Sequence, residues 1–251
     1  MFIVRIFVNL AILCFEVGAI AGIAALGYFQ PLIFAGVTFV LALALGSRLE
    51  FARLKNELNF YFERKVPRGG PFTWIVAISE ALFKAILAGL VALLTFSGTD
   101  HGRLYIVAII FAACVFAGSS VLRWLANRFN VTPSRWGYFR VAGPLGLIFS
   151  LALEFLPKPS FAKVGFDLMF NLPASFSFDT EGLNRGSELL FMLKQKFDDV
   201  FFTLLVTFVG EHAATVIGVL TSVNMLTGFV IGIYAMVIAE AVRWLEGGER
   251  R

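Results

Sequence analysis

The sequence predicts an all-α protein, a polytopic bundle of transmembrane helices, and three observations support this fold class. Hydrophobic residues make up 59% of the chain and charged residues only 15%, against about 25% charged residues in an average soluble domain. Mean hydropathy is +0.83. Several apolar runs approach the roughly 20 residues that cross a bilayer as a helix. The net charge of +4 comes from Lys and Arg residues between these runs, so it indicates membrane orientation, and no nucleic-acid partner is expected.

Residues 1–156 predict a five-span membrane region. The N-terminal apolar run contains Glu16 but continues to Phe29, which is too long for a cleaved signal peptide and favours a retained first span. Pro31 fits the first turn of the second span, and Pro144 is expected to bend the fifth span or to mark its first turn. The five spans are expected at about Ile6–Leu26, Leu32–Gly46, Phe72–Phe96, Leu104–Leu125 and Val141–Leu156.

The basic residues between the spans predict the orientation of the chain. The segments after the second and the fourth spans are rich in Lys and Arg, whereas the two intervening turns hold only Arg103. Because basic segments stay on the cytoplasmic side, both segments and the N-terminus are expected in the cytoplasm, and the chain in a plasma or inner membrane. The basic residues concerned are Arg48, Arg53, Lys55, Arg64, Lys65 and Arg68, and then Arg123, Arg128, Arg135 and Arg140.

The first of these segments also predicts a cytoplasmic amphipathic helix at residues 47–66. Phe51, Leu54, Leu58 and Tyr61 recur on one helical face. Basic residues around such a face are typical of a surface that binds a partner protein or anionic lipid head groups, although a helix that only anchors orientation would carry the same charges. The candidate partner- or lipid-binding residues are Arg48, Arg53, Lys55, Arg64 and Lys65.

The remaining chain leaves two arrangements open. Residues 157–211 predict an extracytoplasmic loop followed by an amphipathic helix, and residues 212–251 predict a final span from about Ala213 to Ala239 with a basic cytoplasmic tail. This arrangement has six spans and keeps the C-terminal arginines in the cytoplasm, as the charge rule requires. The stretch from Phe201 to Leu245 could instead form two spans joined at the sequence TSVN, which gives seven spans and puts the C-terminus outside.

Five ionisable residues are candidates for an ion- or proton-handling site or for a structural charge cluster: Glu16, Glu80, Lys84, Glu211 and His212. Glu80 and Lys84 are four residues apart on one helical face, where they either relay a proton or neutralise each other. Glu16 has no partner nearby in the sequence. Lys84 is one candidate, which would make a Glu16–Lys84–Glu80 cluster, and a water-filled crevice beside Glu16 is the alternative. Glu211 and His212 are expected near the outer interface with six spans and near mid-membrane with seven.

Rows of small residues predict where helices pack closely. Such rows let backbones approach each other, which is how helices associate when lipid removes the hydrophobic driving force. Gly18 and Gly22 form one pair in the first span. The helix-packing candidates form longer rows: Ala77, Ala81, Ala85 and Gly89 in the third span, and Gly210, Ala214, Gly218, Gly228 and Gly232 near the C-terminus. They indicate a tightly packed bundle or a seam between subunits.

The sequence carries no signature of an enzyme. No CxxC, HExxH or phosphate-binding loop is present. Two histidines, His101 and His212, would have to provide haem ligation alone, so no metal or cofactor is expected. The leading hypothesis is a non-catalytic integral membrane subunit that forms a homo-oligomer or a complex with other membrane proteins. This hypothesis includes the case in which the assembly surrounds a transport or conduction path. The alternative is a small secondary transporter or channel that uses the intramembrane Glu and Lys residues.

Overall fold

The computed structural model describes residues 2–61, 70–96, 101–129, 138–155 and 223–248. The described elements are six α-helices, and five of them are long and apolar enough to cross a membrane. The predicted fold class, an all-α bundle of transmembrane helices, is confirmed. The helices are α1 (Phe2–Phe29), α2 (Pro31–Tyr61), α3 (Pro71–Phe96), α4 (His101–Phe129), α5 (Tyr138–Phe155) and α6 (Val223–Gly248).

The first two helices meet at a single residue, Gln30. Its N–H donates to the Leu26 carbonyl at 2.9 Å, and Pro31, which has no N–H, opens α2 where no intrahelical partner is lost. α2 then continues to Tyr61, so the predicted second span and residues 47–61 of the helix predicted at 47–66 form one element, and residues 62–66 lie outside the described residues. With 31 residues it is about 46 Å long at about 1.5 Å per residue. Its last turns therefore extend beyond a hydrocarbon core of about 30 Å.

Four buried aromatic rings join α2, α3, α4 and α6. Phe34 is stacked on Tyr234 with 5.3 Å between the ring centroids. It meets Phe96 and Phe111 edge to face at 5.0 and 5.7 Å. The Tyr234 hydroxyl shares a 2.9 Å hydrogen bond with the Thr38 hydroxyl, which satisfies the polar end of the ring inside the bundle. This aromatic cluster connects helices that are distant in the sequence.

Polar contacts at the two ends of the bundle give the direction of α6. At one end, Arg123 Nη1 of α4 lies 3.8 Å from Glu246 Oε1 of α6, and α6 lines a cavity together with Arg48 of α2. Toward the other end, the hydroxyls of Thr95 in α3 and Thr227 in α6 share a 2.9 Å hydrogen bond. α6 therefore runs parallel to α2 and α4. We call the end that holds Arg48 and Arg123 the basic end of the bundle.

The direction of α6 is the one that six spans require, but the helix ends later than predicted. α5 and α6 are antiparallel where they touch, so α6 begins at the end of the bundle where α5 finishes. The helix continues to Gly248, beyond the predicted end at Ala239, whereas the predicted start at Ala213 lies outside the described residues. The predicted boundary followed the run without charges and stopped before Glu240, Arg243 and Glu246. These residues are tolerated because they lie at the basic end, where long side chains reach the interface or a counter-ion.

The small-residue row of the third span lies at the contact between α2 and α3. Ala77, Ala81 and Ala85 are fully buried. A Cβ added at Gly89, the next residue in the row, would lie 3.3 Å from the Cβ of Phe39 in α2. The row therefore brings two neighbouring helices of the same chain together, as expected for helix packing in lipid.

Gly228 lies at a close approach between α5 and α6. A Cβ added there would lie 2.7 Å from the Cα of Gly146 and would overlap the carbonyl oxygen of Ala142. Gly232, one turn further along, is also buried. The remaining candidates of this group, Gly210, Ala214 and Gly218, lie outside the described residues.

Candidate functional site

A buried charge cluster joins α1, α4 and α6 around Glu16, which is 1% exposed. Arg123 Nη2 donates to both carboxylate oxygens of Glu16 at 2.9 Å. The Ser119 hydroxyl donates to Glu16 Oε1 at 2.7 Å, and Glu246 lies on the other side of the guanidinium. We call Glu16, Ser119, Arg123 and Glu246 the Glu16 cluster. Its carboxylate is both neutralised and hydrogen-bonded, as a charge inside a bilayer must be.

Two members of the Glu16 cluster, Ser119 and Arg123, belong to α4, and helical geometry directs both of them toward Glu16. Ser119 and Arg123 are four residues apart, so they lie on the same helical face and both reach Glu16. Arginine suits this position because its guanidinium stays charged and its N–H groups form a rigid fork that matches a carboxylate. The side chain of Arg123 is 21% exposed, which is consistent with an apolar stem in the bundle and a charged head close to the basic end.

A second charge cluster lies between α2 and α3. Glu50 is buried, and the Lys84 ammonium donates to Glu50 Oε1. Arg53 Nη1 lies 3.5 Å from Glu50 Oε2, an ion pair without hydrogen-bond geometry. Glu80, one turn before Lys84, interacts electrostatically with Glu50, Lys84 and Arg53. We call these four residues the Glu50 cluster, and its two carboxyls and two cations balance when all four are ionised.

The structure divides the predicted Glu16–Lys84–Glu80 cluster between two sites. Glu80 and Lys84 do lie together, but their partner is Glu50 of α2, whereas Glu16 pairs with Arg123. Lys84 was one of two alternatives for Glu16, beside a water-filled crevice, and that alternative is wrong because Arg123 is the cation that meets Glu16. The physical reason is packing order: α3 lies against α2 and α1 lies against α4, so each acidic residue meets the cation of its own neighbour.

Glu50, Ser119 and Arg123 belong to the buried clusters but were not among the site residues predicted from the sequence. Glu50 and Arg123 were assigned to cytoplasmic segments because they belong to basic stretches that set orientation. One available signal was that Arg123 lies within the predicted fourth span, Leu104–Leu125, and is therefore a cation of the membrane region. Glu50 had no comparable signal, since its burial depends on the position of α3.

The predicted partner- or lipid-binding residues have different surroundings. Arg48 is exposed and lines a cavity between helices. Arg53 Nε donates to Glu57 Oε2 at 2.9 Å on the surface of α2, in addition to its contact with Glu50. Lys55 is exposed. The remaining candidates, Arg64 and Lys65 of this group and Glu211 and His212 of the charge group, lie outside the described residues.

No protein-family model, curated protein or solved structure matches this chain. What the two charge clusters can do chemically is therefore inferred from their own geometry. Within the described helices, His, Cys, Asp and Glu side chains form no group of three that could hold a metal ion. The contacts of the Glu16 cluster join α1, α4 and α6. In the Glu50 cluster, two carboxyls that interact with each other lie beside two cations, Lys84 and Arg53.

Proposed function

We propose that this chain is a non-catalytic subunit of a membrane complex, and that it associates with a second copy of itself through α1. The membrane location rests on the five long apolar helices. The association rests on one observation, an open pair of glycines on the outer side of α1. The pairing of the buried charges supports the non-catalytic part of the proposal, because the charged groups of the Glu16 cluster bind each other across helix contacts.

The glycine pair differs from the small-residue candidates that pack against another helix of the same chain. The space in front of Gly89 is occupied by α2, and the space in front of Gly228 is occupied by α5. Gly18 and Gly22 are exposed, and a Cβ added at either would meet nothing within 4 Å. A Gly-xxx-Gly pair with open space in front of it allows another helix to approach closely in lipid. Cys14, which is exposed and one turn before Gly18, continues this row.

Disulfide crosslinking in native membranes tests the proposal directly. In a parallel pair of α1 helices that touch at Gly18 and Gly22, the two copies of Cys14 lie close together. Mild oxidation is expected to give a covalent dimer that is lost in Cys14→Ser and retained in Cys114→Ser, because Cys114 is buried within its own chain.

Helix substitutions separate close packing from accidental collision. Gly18→Leu together with Gly22→Leu should abolish the crosslink and shift the chain to a monomer in mild detergent. Gly143→Leu is the matched control, since this α5 glycine also has open space around it. A wild-type chain that stays monomeric and gives no dimer, or a dimer that survives both α1 substitutions, would overturn the proposal.

A second candidate function, a small secondary transporter or channel, is favoured by the Glu50 cluster. Two interacting carboxyls and a lysine between two helices form the kind of intramembrane group that proton and ion pathways use. Flux into liposomes with Glu80→Gln and Lys84→Met variants tests this function. If the wild-type chain moves no ion, or both variants move it normally, the transport hypothesis fails.

A further inference from the structure

α1, α2 and α6 enclose a groove of about 550 Å³ near the basic end of the bundle. Most of its lining is apolar, including Phe15 of α1, Leu41 and Leu45 of α2 and Met236 of α6. Ligand sites are commonly of this size and are lined mainly by apolar side chains with a few polar groups. Neither charge cluster lies in the groove, so its shape is not explained by the ion pairs.

The depth of the groove matches one leaflet of a bilayer. On α2 the lining extends from Leu41 to Arg48, and on α6 it extends from Met236 to Leu245. At about 1.5 Å per residue these stretches are about 10 and 13 Å long. Half of a hydrocarbon core of about 30 Å is about 15 Å. An acyl chain that enters the groove from the basic end would therefore lie along its apolar lining.

The mouth of the groove carries one cation and one anion. Arg48 and Glu240 are both exposed and both line it. Trp244, which is 78% exposed, stands beside them, and tryptophan is enriched at the boundary between lipid and water. The polar end of the groove thus lies at head-group level, with a positive and a negative group next to an apolar slot.

We infer that this groove binds a phospholipid whose zwitterionic head group ends in a primary ammonium, as in phosphatidylethanolamine. The Arg48 guanidinium binds the phosphate, and the Glu240 carboxylate accepts hydrogen bonds from the ammonium. A choline head group has no N–H to donate to Glu240. A phosphatidylglycerol head group has no ammonium to donate to Glu240. The inference does not depend on the association of α1 with a second copy.

Competition between head groups tests the assignment. The delipidated protein in mild detergent is incubated with equal amounts of phosphatidylethanolamine, phosphatidylcholine and phosphatidylglycerol that carry the same acyl chains. Retained lipid is then counted by native mass spectrometry. One bound phosphatidylethanolamine is expected per chain, preferred over each competitor by about tenfold, the ratio that one additional charged hydrogen bond supports.

Substitutions at the mouth identify the groups responsible. Glu240→Gln should remove the preference for the ethanolamine head group, and Arg48→Gln should weaken retention of all three phospholipids. Glu57→Gln on the protruding part of α2 and Arg128→Gln, an exposed cation in the last turn of α4, are matched controls, and both should behave as wild type. Ala241→Phe, which fills the groove without a change of charge, should reduce retention of every lipid.

Three results would overturn the inference. The first is equal retention of phosphatidylethanolamine and phosphatidylcholine by the wild-type chain, or a preference for phosphatidylglycerol. The second is an ethanolamine preference that persists in Glu240→Gln. The third is the absence of any retained lipid. Each leaves the crosslinking result at Cys14 unaffected, so failure of the lipid site and failure of the proposed association are distinguishable.

Discussion

Removal of the Glu16 carboxylate should destabilise the bundle far more than any exposed charge substitution. In Glu16→Leu, Arg123 loses both of its 2.9 Å hydrogen bonds to the carboxylate, and Ser119 loses its acceptor. A mostly buried guanidinium then remains without its main counter-ion. Loss of one partner of a buried ion pair costs about 3–5 kcal/mol. We expect a decrease of this size in the free energy of unfolding, and about 1.5–3 kcal/mol for Glu16→Gln, which keeps one carbonyl acceptor.

The double substitution distinguishes a coupled pair from two independent contributions. Arg123→Met alone should also be costly, because it leaves Glu16 buried without its cation. Glu16→Leu with Arg123→Met removes both charges, so the double variant should be clearly more stable than the sum of the single losses, by about 2 kcal/mol or more. Lys55→Met serves as the control, since this side chain is exposed on α2 and ordinary surface substitutions change stability by at most about 0.5 kcal/mol.

Reversible unfolding in mixed detergent micelles, followed by far-ultraviolet circular dichroism, measures these differences. Additive losses in the double variant would mean that Glu16 and Arg123 do not stabilise each other. A Glu16→Leu chain within about 0.5 kcal/mol of wild type, the range of ordinary surface substitutions, would refute the burial argument itself.

Three further predictions concern packing, the second charge cluster and orientation. Gly228→Val should destabilise the chain by about 1–3 kcal/mol through overpacking against α5, whereas Gly143→Val, which meets open space, should unfold as wild type in the same titration. Lys84→Met should lower stability because it leaves Glu50 buried beside Glu80, and adding Glu50→Gln should restore most of the loss. Arg250→Cys, in a chain without its native cysteines, should react with an impermeant thiol reagent only after permeabilisation. Labelling of intact cells would reverse the predicted orientation.

The membrane class and the approximate positions of the first five spans were predictable because they depend on local properties. Apolar length decides whether a helix crosses a bilayer, and prolines such as Pro31 mark its ends. The small-residue row at Ala77 and Ala81 also had a local signal, since helical periodicity shows which residues share a face. The cytoplasmic location of the N-terminus stays a prediction, based on the distribution of Lys and Arg.

The last span shows where a local rule misled the prediction. A run without charges predicted an end at Ala239, yet α6 continues to Gly248 and includes Glu240 and Glu246. Whether a charged residue is tolerated in a span depends on what it reaches at that depth. Glu246 reaches Arg123 of another helix, which no property of the sequence around Glu246 reveals.

The sequence by itself determined that this chain is a bundle of membrane helices and which faces of those helices carry charges or small residues. Only the tertiary structure decided that Glu16 pairs with Arg123, 107 residues away, and that Lys84 pairs with Glu50 rather than with Glu16. Helical periodicity assigns a residue to a face of its own helix but does not say which helix lies opposite. The partner of a buried charge, and the groove between Arg48 and Glu240, depend on that arrangement of helices.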